Sequence, residues 1–210
     1  NTALGYNSGN DITTGANNTC VGNASGQTIT TSPSNTCVGH GAGKAITTGS
    51  GGNVCIGNLA GDALTTGTNN IIIGDTADAA AVDSAQSITL GNGTINALRC
   101  QVQTISSLSD RRDKKDIKDL DYGLDFINTL HPVKFTWNMR SGDKVDIKEV
   151  GFIAQDLDES QNKFDAEEYL QLVLKDNPDK LEAAMGKLLP SMVKAVQELS
   201  TQVDELKDEI

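Results

Sequence analysis

Serine and lysine pairs are the side chains of this sequence with the clearest potential for catalysis. A serine hydroxyl becomes a nucleophile when a neighbouring base takes its proton, and a lysine serves as that base only when its amine is neutral. The pairs Ser141–Lys144 and Ser191–Lys194 have the S-x-x-K spacing of penicillin-recognising enzymes, but neither has the companion motifs. The stretch SDRRDKKDI, which begins at Ser109, places a third serine among basic residues. On its own, this stretch is typical of a solvated loop.

Two other stretches resemble ligand-binding loops, and both are incomplete. Around Lys44, GHGAGKA is similar to a phosphate-binding loop, but Val38 stands where the first glycine is needed and Ala45 replaces the Ser or Thr after the lysine. Polar side chains between positions 156 and 167 have calcium-loop spacing, yet Gln161 stands where the sharp turn needs glycine. We therefore predict neither a metal site nor a cofactor.

The two halves of the chain differ in composition. Residues 1–108 hold 17 of the 21 glycines and all 4 cysteines, but Tyr6 is their sole aromatic residue, so this half cannot fill an ordinary globular core. The whole chain has a net charge of −11, whereas binding to nucleic acid is normally carried by clustered Lys and Arg. No apolar run approaches the roughly 18 to 20 residues of a membrane span. We predict no nucleic-acid partner and no membrane partner.

The first half is built from repeats of about 17 residues. The segments begin at Asn1, Asn18, Asn35, Asn53 and Asn70, which are 17, 17, 18 and 17 residues apart. Each contains a short apolar strand that ends in glycine and then a turn of small residues, and the first four continue with Ile or Leu before Thr-Thr. Because one unit has too little apolar surface to fold alone, coils must stack on each other and chains on their neighbours. Residues 1–75 are predicted to form an all-β repeat shaft, a β-solenoid or β-roll.

Three cysteines occupy the repeat position that Ala3 and Ile72 fill in other units: Cys20, Cys37 and Cys55. This position favours a small or medium apolar side chain that points inward, so we predict buried, reduced thiols. A ladder of disulfides between coils, or contacts between symmetric chains, remains the alternative.

Residues 76–108 are expected to form an extended β linker at the end of the shaft. Positions 75–86 are rich in Ala and Asp and break the period, and SITLGNGTINALRCQVQTISSL then alternates polar and apolar residues as strands do. We expect this β-structure to continue to Leu108. At Ser109 the composition becomes densely charged, which marks a domain of residues 109–210.

The second half has the mixed pattern of an α+β domain. Apolar spacing predicts a helix over Leu120–Leu130, and alternation around Val133–Trp137 and Val145–Ile153 predicts a hairpin with one buried face. A C-terminal helix of about residues 190–210 follows. Its apolar residues are spaced 4, 3, 4, 3 and 4 apart, which suits a coiled coil. They are Met192, Val196, Leu199, Val203, Leu206 and Ile210.

Two families are similar in sequence. The sequence pattern N-T-x-V-G-x-x-A-G of the repeats resembles that of the heads of trimeric adhesins and the shafts of viral tail fibres. This resemblance implies a threefold fibre. The pattern S-D-x-R-x-K-x-D-I from Ser109, followed by HPVKFTW, GFIAQDL and LLPSMVKAVQEL, resembles the self-cleaving intramolecular chaperone at the C-terminus of viral tail spikes and fibres, peptidase family S74.

The second resemblance implies a protease that cuts its own chain once. Carried over residue by residue, it makes Ser109 and Lys114 a catalytic dyad and places the scissile bond between Leu108 and Ser109. Nearby cations favour a neutral lysine, and Arg111, Arg112 and Lys115 stand close in sequence. The remaining motif residues are candidates for the environment of the dyad: Asp110, Arg112 and Asp116.

The sequence thus predicts a viral tail fibre or appendage fragment, a homotrimer located in the virion and assembled in the host cytoplasm. Its C-terminal domain would guide trimerisation and folding of the β-shaft and then cleave itself from it. The shaft is a candidate surface for a host receptor or glycan. The alternative is a structural or adhesive trimer that has the same chaperone fold and does not cleave.

Overall fold

A computed structural model describes residues 1–102 and 104–209 of the chain. They fall into two compact units, Asn1–Ala97 and Leu98–Ile210, which we call the N-terminal and C-terminal units. The predicted junction at Ser109 therefore lies inside the C-terminal unit, and the residues on both sides of it belong to one unit.

The N-terminal unit is a parallel β-solenoid of about five turns, as the repeats predict. Each repeat contributes one three-residue strand, and each strand pairs in parallel with the next along the chain. The register joins equivalent repeat positions, so that Cys20 faces Cys37 and Cys37 faces Cys55. The strands are β1 (Thr2–Leu4), β2 (Thr19–Val21), β3 (Thr36–Val38), β4 (Val54–Ile56), β5 (Ile71–Ile73) and β6 (Ile88–Leu90).

Two apolar positions of each repeat form the solenoid core. The central strand residues point inward and are fully buried at Cys20, Cys37, Cys55 and Ile72. They pack with the Ile or Leu that precedes the paired threonines: Ile29, Ile46 and Leu64. The three cysteines of this core are free thiols, so the prediction of buried, reduced side chains is confirmed.

The burial of these thiols leads to a test by chemical modification. Hydrogen bonding with Cys20 and Cys55, together with burial, raises the pKa of the Cys37 thiol, whereas Cys100 is exposed. Because a thiol reagent needs access and a thiolate, we expect one of the four cysteines to react in the folded chain and all four in denaturant. Titration with a disulfide reagent measures the count. Rapid reaction of more than one thiol would contradict the buried core, and Cys100→Ser should abolish the native signal.

Asparagines form a second, polar ladder inside the solenoid. Asn18, Asn35, Asn53 and Asn70 are buried at the start of their repeats. The Asn35 backbone N–H donates to Asn18 Oδ1 at 2.9 Å, and the Asn35 Nδ2 group donates to the same oxygen at 3.0 Å. In the same way, the backbone N–H and Nδ2 groups of Asn53 donate to Asn35 Oδ1, and those of Asn70 donate to Asn53 Oδ1. The ladder satisfies side-chain amides that would otherwise be costly to bury.

Glycine follows each of the first five strands because the coils approach each other closely there. Gly39 has φ +133°, a conformation that residues with a Cβ rarely adopt, and a Cβ at this position would overlap the carbonyl oxygen of Gly57. Gly22 and Gly57 have the same conformation. A Cβ at either position would overlap the carbonyl oxygen of the equivalent glycine in the next coil, Gly39 or Gly74.

The solenoid continues beyond residue 75. Its last strand, β6, ends at Leu90, before the predicted end of the β-structure at Leu108. The Ala/Asp-rich segment keeps the repeat length, so Ile71 pairs with Ile88 and β6 joins the sheet. Among the residues that the structure describes, the expected β-structure up to Leu108 is not formed. Residues 91–102 and 104–108 contain no strand, and within the described chain no further strand is paired with β6 to extend the ladder.

The C-terminal unit is a small α+β fold that ends in a long helix. Short 3-10 helices cover Arg111–Asp113 and Met185–Leu188. The helices are α1 (Leu124–Ile127), α2 (Ala154–Lys163), α3 (Glu167–Leu170) and α4 (Leu189–Asp208). The strands are β7 (Val133–Asn138), β8 (Val145–Gly151), β9 (Val173–Leu174) and β10 (Glu182–Ala183), paired as two antiparallel hairpins.

The core of this unit gathers around Phe126, which is fully buried on α1 and meets Phe164 edge to face at 5.4 Å. The rest of the core comes from α2, α3 and the segments beside them: Leu157, Ala166, Leu170, Leu172, Val173 and Leu188. The predicted hairpin is present as β7 and β8, although its apolar face is only half-buried on β7 and mostly exposed on β8. The helix predicted over Leu120–Leu130 is only α1, because Gly123 is not helical, with φ −102° and ψ −131°, and the helix begins after it.

Helix α4 exposes its apolar seam. Pro190 lies in the first turn, as predicted, and the seam residues from Met192 to Leu206 are between 42% and 67% exposed. Ile210, the last predicted seam residue, lies outside the described residues. None of the helices in the described part of the chain combines the length and apolar composition that crossing a membrane requires.

Candidate active site

A tight turn at the junction brings Ser109 and Lys114 together. Asp110 caps a single 3-10 turn, since its Oδ1 accepts a hydrogen bond from the Arg112 backbone N–H at 2.8 Å. The Lys114 backbone N–H closes the turn on the Arg111 carbonyl at 3.2 Å. Lys114 then returns to extended geometry, with φ −124° and ψ 144°. The turn therefore folds the lysine side chain back towards the serine that precedes it.

The two side chains are in hydrogen-bond contact. Lys114 Nζ donates to Ser109 Oγ at 2.6 Å, within the range in which a proton can pass between a nucleophile and its base. Leu108, immediately before the serine, is 80% exposed, and Ser109 and Lys114 are exposed as well. The pair is thus assembled by local structure and remains open to solvent in a single chain.

Among the charged residues around the pair, Arg112 and Asp110 contact each other. Arg112 donates from Nε and Nη2 to the Asp110 carboxylate, with an ion-pair distance of 2.6 Å. This hydrogen bonding lowers the pKa of Asp110 and raises that of Arg112. Arg112 is therefore a partner of the capping aspartate and not an unpaired cation beside Lys114. Asp116 has a left-handed backbone with φ +52°, and within the described chain it makes no hydrogen bond or ion pair with Ser109 or Lys114.

The family comparison is consistent with this geometry. Residues 109–166 match the Peptidase S74 family, described as chaperone of endosialidase. The match begins at Ser109 and confirms the predicted C-terminal chaperone domain. No curated protein and no solved structure matches the chain.

Several motifs away from the junction at Ser109 have structural explanations. In the solenoid, Lys44 pairs with Asp62 at 2.9 Å, so its glycine-rich stretch is part of a repeat. The calcium-like stretch is mostly helix α2, whose Asp158 pairs with Lys175 at 2.7 Å. Ser191 is buried on α4. Among the described residues there is no group of three or more side chains suited to a metal.

One contact that joins α1 to α4 in the C-terminal unit could not be predicted from the sequence. The Leu124 backbone N–H, at the start of α1, donates to Glu198 Oε2 of α4 at 2.6 Å. Gly123 is buried beside this carboxylate, and a Cβ there would overlap Glu198 Oε2. The sequence signal is the glycine before an apolar run, but the Glu198 carboxylate lies 74 residues beyond Leu124.

This contact predicts a pH-dependent contribution to the stability of the chaperone domain. The hydrogen bond from Leu124 lowers the pKa of Glu198 below its ordinary value of 4.5. Ionised Glu198 therefore contributes stability above that value, and the contribution is lost as pH falls through the lowered pKa. We expect Glu198→Gln to lower the urea midpoint at pH 7 and the difference to narrow below pH 4.5. Glu205→Gln, which changes an exposed carboxylate on the same helix, serves as the control. An equal effect of both variants would contradict the prediction.

Proposed function

We propose that this chain is part of a viral tail fibre or appendage whose C-terminal domain guides three chains into a β-shaft and then cleaves the Leu108–Ser109 bond. The observation that carries the proposal is the 2.6 Å contact between Ser109 Oγ and Lys114 Nζ at the first residue of the family match. The family's chaperone description fits the guiding role. The solenoid and the exposed seam of α4 are the elements that association would cover.

The cleavage chemistry follows from the position of the nucleophile. Neutral Lys114 Nζ accepts the Ser109 Oγ proton, and the oxygen attacks the Leu108 carbonyl carbon behind it. The Leu108–Ser109 C–N bond then breaks while the lysine returns its proton to the departing nitrogen. This N-to-O acyl shift leaves an ester between Leu108 and the serine oxygen. Water attacks the ester carbonyl, giving a Leu108 carboxylate and restoring the serine hydroxyl.

The solvent exposure of the pair links cleavage to assembly. A charged lysine donates to the serine and cannot accept its proton, and desolvation favours the neutral amine. In a single chain both side chains are exposed, so the desolvating surface has to come from other copies. Cutting would then follow association, and loss of the chaperone would leave the shaft kinetically trapped. The number of three chains comes from the family resemblance.

The same exposure favours a second function, a trimer with this chaperone fold that does not cleave. Arg112 is occupied by Asp110 and does not act as a free cation near Lys114. In that case the chain would be a structural or adhesive shaft of the virion, in which the solenoid contacts a host receptor or glycan.

Mass spectrometry of the freshly expressed chain separates the two functions. We expect products of residues 1–108 and 109–210 that appear as the chains associate, and an intact chain in material held in denaturant. A folded trimer that stays whole for days would overturn cleavage and leave the structural function. A folded monomer that cuts at the same bond would overturn the link to assembly.

A further inference from the structure

Asn92 lies just beyond β6 and precedes Gly93 in the only Asn-Gly pair of the sequence. In such a pair the backbone nitrogen of the glycine can attack the side-chain amide of the asparagine and close a succinimide ring. Glycine favours this attack because it has no side chain to hinder the approach of its nitrogen. The contacts of Asn92 determine whether the folded chain promotes the attack or opposes it.

The side-chain oxygen of Asn92 has two hydrogen-bond donors. The Thr94 backbone N–H donates to Asn92 Oδ1 at 2.9 Å, and Thr94 Oγ1 donates to the same oxygen at 2.7 Å. The ring that the first bond closes contains the Gly93 nitrogen, so the bond keeps this nitrogen near the Asn92 side-chain carbon. Attack on that carbon places negative charge on Oδ1, and donors that are already in position stabilise such charge. Thr94 therefore provides an oxyanion site for succinimide formation.

The side-chain nitrogen of Asn92 joins the last coil to the coil before it. Asn92 Nδ2 donates to the Asp75 carbonyl at 2.9 Å and to Thr76 Oγ1 at 2.9 Å. The Ile95 backbone N–H donates to the Asn92 carbonyl at 3.2 Å and closes a turn over Gly93. Asn92 is only partly buried, so water reaches it. The amide is thus held in one orientation at a place where a succinimide can be hydrolysed.

We propose that Asn92 is a site of spontaneous deamidation, which the fold of the solenoid end accelerates. The Gly93 nitrogen gives its proton to water and bonds to Asn92 Cγ. The Cγ–Nδ2 bond then breaks, and Nδ2 takes up a proton and leaves as ammonia. Water adds to one of the two ring carbonyls and opens the succinimide, which gives aspartate or isoaspartate at position 92. The reaction consumes only water and is independent of both association and cleavage in the proposed function.

Deamidation would remove the contact between the last two coils. A carboxylate accepts hydrogen bonds and donates none, so the Asp75 carbonyl would lose its donor and face a negative charge. The neighbouring Gly91 backbone N–H, which donates to the Ile73 carbonyl at 2.7 Å, reports the loss. In Asn92→Asp, which has the aspartate product from the start, we expect hydrogen exchange of the Gly91 amide to be about tenfold faster than in the unmodified chain.

Peptide mapping by mass spectrometry during incubation at neutral pH tests the proposal in the full chain, with Ser109→Ala to prevent cleavage. We expect Asn92 to deamidate faster in the folded chain than in guanidinium chloride. Thr94→Val removes the hydroxyl donor and keeps the backbone donor, so deamidation should slow by about tenfold in the folded chain and stay unchanged in denaturant. Thr94→Ser keeps the hydroxyl and should retain the original rate. Thr66→Val, which changes an exposed threonine elsewhere in the solenoid, serves as the control.

The comparison between folded and denatured chains needs no substitution at position 94. Slower deamidation in the folded chain would mean that the contacts protect Asn92, and it would overturn the proposal even if Thr94→Val failed to fold. Equal rates in folded Thr94→Val and Thr66→Val would overturn the role of the Thr94 hydroxyl. Faster deamidation in the folded chain, slowed by Thr94→Val and retained in Thr94→Ser, supports the proposal.

Discussion

Replacing Ser109 with alanine should leave the chain whole, with no product ending at Leu108 after days of incubation. The variant removes the oxygen that attacks the Leu108 carbonyl and leaves the capping turn intact, because that turn depends on the Asp110 side chain. Lys114→Arg tests the base separately. Arginine stays protonated in proteins, so cleavage should slow by about 100-fold or more. Intact-mass analysis over time measures both rates.

Matched variants show whether these effects belong to the pair. Ser107→Ala removes a nearby hydroxyl, and Lys115→Arg changes the neighbouring lysine. Both should cut at the wild-type rate. A product that still ends at Leu108 in Ser109→Ala would mean that another group breaks the bond, provided that sedimentation finds the variant assembled like the wild type.

Gly39→Ala should be among the most destabilising single changes in the shaft. The backbone at Gly39 has φ +133°, and a Cβ would overlap the Gly57 carbonyl oxygen in the adjacent coil. Both strands would have to separate, so we expect a loss of about 3 kcal/mol or more in the free energy of unfolding. Urea denaturation in the Ser109→Ala background, followed by the reactivity of the buried thiols, measures the change in the shaft.

Gly52→Ala separates steric overlap from backbone conformation. Gly52 also has positive φ, at +73°, but a Cβ there would meet nothing closer than 3.8 Å. We expect a cost of about 1 kcal/mol, the ordinary cost of a left-handed residue with a side chain. Equal losses in the two variants would contradict the argument that close approach of the coils requires Gly39.

The solenoid could be predicted because its information is local and repeated. A nearly constant period fixes the parallel register, and the apolar repeat position of Cys20, Cys37 and Cys55 fixes which side chains point inward. The asparagine ladder escaped prediction for a related reason. A regular spacing of asparagines marks the start of each repeat, but their burial depends on the next coil, which supplies the hydrogen-bond partner.

The C-terminal unit was less predictable because its elements depend on distant contacts. The apolar spacing of residues 120 to 130 suits a longer helix, but Gly123 has to admit the Glu198 carboxylate from α4, and α1 begins only after it. The junction is local, so the contact between Ser109 and Lys114 fits the motif that the family resemblance picked out. Their catalytic roles stay predictions.

The asparagine ladder makes the length of the shaft adjustable in whole coils. Asn18, Asn35 and Asn53 each accept from the next asparagine, and Asn70 accepts from Ser87. The Nδ2 groups of Asn53 and Asn70 donate to the preceding asparagine and to a carbonyl of their own coil, so these internal units present the same chemistry at their two ends. Inserting or deleting one complete unit would preserve each amide pairing. A change of a few residues would leave a buried polar group without a hydrogen-bond partner. Such a fibre can lengthen or shorten by duplication without redesign of its core.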